Sequence, residues 1–387
     1  MTKPVLFDIG PLSCSCTDHV LEEMHKALID PPGSEGVWKP HHDLYVRDHI
    51  EDVTQWGLKI LVDIQSDMLS IIEGSPVKND ENLLGKALGW TRYTEKEFEA
   101  IQRLLEDKGP ENYSVDDWMM VVDLIVHRYL PSDVVRTEAE YIAMRSVMLG
   151  KIQASTERKK LKNKEILALA GGLPESAANI ASISKLSLRE QSVFDISKAR
   201  SALYITELGD STRRRIKQIV INHHQNILND DPDSSLWNLE SNLLDEFGVL
   251  NRDWRRIALT EVAENTNQGF IASLEEGTVV QRVEAYDGAC SFCRKINGSK
   301  YTVVDAARTD KRGETEVWVG KTNVDRSSSP RKRVGDELID RSPSELWWPA
   351  AGVQHPHCRG TWRVIHQASS DVDPEFAKWI DKALSAA

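Results

Sequence analysis

Cysteine is scarce in this chain. Its 387 residues hold five, namely Cys14, Cys16, Cys290, Cys293 and Cys358, an odd number with long gaps between. That spacing excludes a disulfide framework, and in a reducing compartment such clusters point to metal or redox chemistry. Long apolar runs are missing too. Nothing approaches the roughly 18 to 20 residues that a bilayer span requires, so no membrane partner is expected. The opening "MTKPVLFDIGPLSCSC" has one lysine and no sustained apolar core, so no signal peptide is expected and the cytoplasm is the expected compartment. No P-loop, G-x-G-x-x-G, G-x-S-x-G or H-E-x-x-H motif occurs, and no internal repeat. The chain is therefore read as a non-enzyme, with no catalytic residue assigned.

What is present is ordinary globular composition, 40% hydrophobic and 28% charged, with a length that suits two or three domains. The net charge of −12 is uneven: −13 over residues 1–150, +7 over 151–220 and −6 over 221–387. Overall acidity argues against a protein that coats nucleic acid, though the middle segment can present a basic face. The stretch "ERKKLKNKE" is either a solvated helix face or a contact with DNA or an acidic partner, with residues 158–164 as the DNA candidate. The eleven tryptophans read as core and interface anchors, and His223 and His224 as one packed and one solvated residue.

The apolar pattern is helical over residues 44–150. Val46, Ile50, Val53, Trp56, Ile60, Ile64 and Met68 step by three and four and form one stripe. A loop is expected at 75–82 and a helix over 94–107. Ser114 followed by Asp117 is a variant N-cap pattern ahead of a helix that stops before Pro131. Residues 151–187 read as a basic linker or arm between domains. Helices resume at "LREQSVFDISKARSALYITEL" and "STRRRIKQIVINHHQNIL". A short helix closing on Gly248 follows, then one that stops at Gly277. Only then do strand-like segments appear: "TVVQRVEAYD", "KYTVVD", "TEVWVG" and "GTWRVIHQ". Residues 321–346 read as a long polar loop. A tail over 367–387 carries a short amphipathic helix with Asp373 as cap and Pro374 at its first position. The expected class is mainly α with a small C-terminal α+β module. It has an acidic helical region over 1–150, helices over 188–276 and a short antiparallel sheet over 278–366.

Cys290 and Cys293 form C-x-x-C directly after an expected strand. A two-residue gap lets both thiolates of one tight turn face the same ion, at about 2.3 Å for zinc. Sixty-one residues separate Cys293 from His355, and "HPHC" then offers His355, His357 and Cys358. His355 and Cys358 repeat the two-residue gap. His357 abuts Cys358, and adjacent side chains in extended backbone diverge. The expected site is therefore Cys290, Cys293, His355 and Cys358, a Cys₃His set suited to structural zinc with no open position. The alternatives are reduced surface thiols beside an unrelated turn, or a redox pair.

These features together resemble the phage Mu F-like minor head proteins, also called phage head-morphogenesis proteins, over about residues 188–366. The helix "DWRRIALTEVAENTNQGF" is similar to the family's signature helix at Arg256, Thr260, Glu261 and Asn265. The strand end "VVQRVEAYDGACSFC" matches at Asp287, Cys290 and Cys293, and "HPHCRG" at His355, Pro356, Cys358 and Arg359. Gly360 stands where the family usually has a second cysteine. The resemblance implies a low-copy structural component of the virion head. It would be assembled in the host cytoplasm and act near the portal vertex in head assembly and in DNA packaging or delivery. Its partners would be portal and capsid or head-assembly proteins, with multiple copies per virion allowed. Arg256, Glu261 and Arg359 are expected to hold the signature helix against the metal-closed sheet through charge-assisted hydrogen bonds. Two other classes stay open: a zinc-dependent nuclease or DNA-processing enzyme, with His357 as its natural histidine, and an effector delivered with the genome.

Overall fold

The apolar stripe read from the sequence is the buried face of the first helix. The computed structural model describes residues 41, 43–74, 96, 103, 108–130, 132–159, 161–183, 186–229, 231, 232, 234–284, 289–366 and 374–386. Helix α1 (Leu44–Ile72) buries Val46, Ile50, Val53, Ile60, Ile64 and Met68. Ser114 and Asp117 close a full capping box on α2 (Val115–Tyr129), satisfying two end N–H groups reciprocally. Helices α3 (Ser132–Lys159), α4 (Asn163–Gly171) and α5 (Ala177–Ala181) follow. Two long helices come next, α6 (Leu188–Leu228) and α7 (Leu236–Ala272). The expected helix over 94–107 and the loop at 75–82 fall mostly or wholly outside the described residues, as do Cys14, Cys16 and Asp373. Among the described residues no helix is long and apolar enough to cross a membrane.

The C-terminal part is a small mixed sheet. Strands β1 (Val279–Val283), β2 (Lys300–Val303), β3 (Glu316–Val317) and β6 (Thr361–His366) lie in the order β3-β2-β1-β6. Helix α8 (Ser291–Ile296) sits between β1 and β2. Strand β1 is antiparallel to β2 and β6, but β3 is parallel to β2. The expectation of an antiparallel sheet is corrected to that extent. The segment from residue 304 to 315 returns the chain to the start of its neighbour instead of folding back as a hairpin. The expected loop over 321–346 contains an exposed hairpin of its own, β4 (Arg331–Val334) with β5 (Glu337–Asp340). It turns on Gly335 at φ 59°, a conformation that glycine adopts freely. The terminal helix α9 (Pro374–Ala386) begins at the expected proline and buries Phe376 and Ile380.

Residues 151–159, expected to be linker, are the last turns of α3 and do structural work at the sheet. Strand β6 pairs only with β1, and its open edge is covered by α3. Gln153 donates to the Trp362 carbonyl at 3.0 Å, and the Val364 N–H donates to Glu157 at 2.7 Å. Edge N–H and C=O groups are thereby satisfied instead of inviting another chain. Several basic residues of 151–220 find acidic partners within the fold. Lys151 pairs with Glu190 at 3.0 Å, Lys198 with Glu140 at 2.6 Å and Arg200 with Glu261 at 3.0 Å. Arg215 reaches Glu246 and Lys217 reaches Asp123.

Helices α6 and α7 each run through a position where the sequence reading ends a helix. Gly209 lies within α6 and Gly248 within α7. An interior glycine costs about 1 kcal/mol against alanine. The buried Phe247, Leu250 and Trp254 on either side of Gly248 offset that cost by packing. Helices α3 and α7 cross at close range. A Cβ on Gly150 would lie 2.1 Å from the Thr266 carbonyl oxygen, and one on Gly269 2.3 Å from that of Val147. The two backbones touch there, so neither position has room for a side chain. Gly269→Val is expected to force the helices apart, at about 1–3 kcal/mol or more. Urea unfolding of the full chain checks this, and an unchanged midpoint contradicts it.

Candidate metal centre

The site is assembled from a helix start and a turn. Cys290 is the N-cap of α8, and its Sγ accepts the Cys293 N–H at 3.4 Å. That backbone bond turns the second thiol toward the first. Opposite stands His355-Pro356-His357-Cys358, a turn closed by the Cys358 N–H donating to the His355 carbonyl at 3.1 Å. Proline supplies the second position of such a turn, and the third requires positive φ. His357 stands there at φ 65°, a conformation uncommon for a side-chain-bearing residue.

The two half-sites meet. His355 Nε2 lies 3.3 Å from Cys290 Sγ and 3.4 Å from Cys293 Sγ. Cys293 Sγ is 4.0 Å from Cys358 Sγ. The ligand atoms of Cys290, Cys293 and His355 all fall within 4.8 Å of one another, as do those of Cys293, Cys358 and Glu284. Cys293 and Cys358 are fully buried. The His355 Nδ1 is 2.7 Å from the Pro356 carbonyl oxygen, an outer contact that leaves Nε2 facing the thiols. Trp347 covers the cluster from one side. It stacks on the His355 ring at 5.5 Å and meets Phe292 edge-on at 5.5 Å, so one indole touches both half-sites. The two thiols and imidazole of Cys290, Cys293 and His355 could hold a metal ion, while Cys358 groups with Cys293 and Glu284. His357 turns aside from this group, and its backbone N–H donates to Thr260 Oγ1 at 3.3 Å.

Behind the thiols lies a buried ion pair absent from the sequence reading. Arg282 Nε donates to Glu284 Oε1 at 2.7 Å, with neither side chain exposed. Arg282 Nη2 stands 3.7 Å from Cys358 Sγ. Burial acts to raise the Cys358 thiol, but hydrogen bonding from Cys293, the Arg282 charge and the backbone at Gln354 and Gly360 together hold it well below the usual thiol range. Burial raises the Glu284 carboxyl, opposed by Arg282. The signal for this pair was present in the strand period, since Val280, Arg282 and Glu284 share one face and Val280 is core.

The signature helix contributes differently from what its resemblance implies. Glu261 accepts from Arg200 of α6 at 3.0 Å and from Ser201 at 3.2 Å. Asn265 accepts from Arg200 at 2.5 Å and donates to Ser201 at 3.3 Å. Arg256 is half-exposed and pairs with Asp253 on its own helix at 3.3 Å. For Glu261 and Arg256 the expected link to the sheet is corrected: these charges find partners on α6 and α7, which pack directly together. Arg359 is buried, and Asp287 lies outside the described residues. The bonds from α7 to the turn come instead from Thr260, Glu264 and Asn267. Glu264 accepts the Val353 N–H at 2.5 Å, and Asn267 donates to the Gly360 carbonyl at 2.8 Å. Gly360 itself is needed here, because a Cβ would lie 2.1 Å from Glu284 Oε1.

Comparison of the chain with family models, with curated proteins and with solved structures finds no match.

Cys293 touches both other parts of the cluster, so its removal tests the centre. Cys293→Ser is expected to cost more metal affinity than the roughly 10–100-fold typical of outer partners, and to loosen residues 289–366 in hydrogen exchange. Elemental analysis of the purified chain with one divalent ion per parent molecule and none in the variant is the predicted result.

Proposed function

We propose that this protein is a minor head-morphogenesis protein of a tailed bacteriophage, and that its Cys290–Cys293–His355–Cys358 centre holds structural zinc. The observation that carries the reading is the meeting of the motif segments. The "CSFC" turn, the "HPHC" turn and the "TEVAENTNQ" helix, far apart in sequence, lie in contact. This is the combination of segments on which the resemblance to Mu F-like minor head proteins rests. In the proposal the chain is a low-copy virion component near the portal, assembled in the host cytoplasm, without catalytic residues. Zinc would supply four strong bonds that close two loops of the small sheet, and a Cys₃His set leaves no open coordination position for water.

The burial of Cys293 and Cys358 supports a closed staple over the nuclease alternative, which needs an exposed histidine or carboxylate beside the ion. His357 is half-buried and lowered in pKa by that burial, with Arg256 and Arg359 nearby in the same direction. The portal and capsid shell remain the proposed partners. The proposed DNA contact at 158–164 is the weakest element, since Glu157 of the same helix end faces β6.

Quantitative mass spectrometry of particles purified from a producing lysate tests the assignment. The chain is expected in the particles at a copy number far below that of the major capsid subunit. Its absence both from mature particles and from purified head precursors would sink the proposal.

A further inference from the structure

We infer that Arg282 is the positioning residue of the metal centre: it holds the Cys358 thiolate in place and balances the charge of the loaded cluster, with Glu284 anchoring the guanidinium. This rests on the metal reading above and names residues outside the motif that suggested it.

A guanidinium with no solvent exposure is costly unless it faces opposite charge and has its donors met. Arg282 is fully buried. Its partners are the Glu284 carboxylate at 2.7 Å, the Cys358 sulfur at 3.7 Å and the face of Trp362 at 5.0 Å, while Nη1 has no hydrogen-bond partner. Glu284 alone would satisfy an ordinary ion pair. Arg282 Nη2 faces the Cys358 sulfur, which also lies 3.6 and 3.7 Å from the two Glu284 carboxylate oxygens, so the guanidinium stands where it can offset both the carboxylate and a sulfur that carries charge once an ion binds. A divalent ion with three thiolates and a neutral imidazole leaves one net negative charge in the interior. Glu284 adds another, and the buried Arg282 offsets one of the two. Gly360 fits the same arrangement, because any side chain there would strike the Glu284 carboxylate and turn its anchor away from Arg282.

The sequence pattern is consistent with this division of labour. Arg282 alternates along β1 with partly exposed Gln281 and Val283, Glu284 follows the end of the strand, and both side chains reach the Cys358 sulfur. Cys358 follows the turn that α7 fixes through Thr260 and Asn267. Arg282 therefore meets a sulfur whose backbone is already set, and supplies orientation and charge instead of ligation.

The test uses the full chain loaded with Zn²⁺ or with Co²⁺ as a spectroscopic probe. Arg282→Gln is expected to weaken zinc in chelator competition by about 10–100-fold and to shift the thiolate-to-cobalt charge-transfer band. Arg282→Lys is expected to recover most of the affinity. If Arg282→Gln does not fold, Gly360→Ala displaces the Glu284 anchor with the guanidinium still present, and the same band should move. A folded Arg282→Gln or Gly360→Ala chain with parental affinity and an unmoved band would overturn the inference. A parent chain that takes up neither ion would instead sink the metal reading on which it stands.

Discussion

A polar seam along α7 carries the C-terminal module. Between Thr260 and Gln268 this helix is buried on almost every side, yet its sequence there is rich in Glu, Asn, Thr and Gln. Most of those side chains are buried: Glu261 and Asn265 bond to α6, and four others bond outward to loops. Thr260 accepts from His357, Glu264 from Val353, Gln268 from Gly320, and Asn267 donates to Gly360. Each such bond is worth about 1 kcal/mol net, but an orphaned buried group costs about 1–3 kcal/mol. The seam therefore specifies where the "HPHC" turn must sit more than it adds raw stability. Four short strands, two of them at most four residues long, could not fix that turn alone.

The proposed metal centre would be the second fastening of the same turn. One side of residues 355–358 is tied to α7 and the other to the start of α8, so helix, sheet and cysteine hairpin share one short piece of backbone. The strained His357 conformation persists because both sides over-determine it. The helical part enters through α3, whose glycine crossing lets it lie directly on α7 while its end covers the edge of β6. Glu190 ties α3, α6 and the end of α7 together. That carboxylate caps α6, meets Lys151 and accepts from Ser273. Buried pairs of this kind favour one arrangement over others more than they add net stability.

Much of this was legible in the sequence, for reasons that are local. The stripe from Val46 to Met68 repeats at helical period, the Ser114–Asp117 box is a four-residue signal, and the C-x-x-C and H-x-x-C gaps are fixed by ligand geometry. What was not legible depends on partners distant in the chain. Gly209 and Gly248 look like helix stops until the core on either side is known. Residues 151–159 look like a solvated basic arm until β6 is laid beside them. The motif places Glu261 and Arg256 at the sheet because it does not state which helix will pack on it. The Arg331–Asp340 hairpin was missed although Gly335-Asp336 between short apolar and charged runs is itself a turn signal. Arg282 and Glu284 were readable from strand alternation, but a buried charged pair is unusual enough that the pattern alone does not call for it.

The proposed Cys₃His centre requires that two motif segments far apart in the chain close on one zinc ion with three sulfurs and one nitrogen. X-ray absorption at the zinc edge on the purified full-length protein addresses this directly. The account predicts a four-coordinate shell dominated by sulfur at about 2.3 Å with a single nitrogen at about 2.0 Å. A shell of five or six oxygen and nitrogen neighbours, or a protein purified under metal-replete conditions with no bound ion, would contradict it.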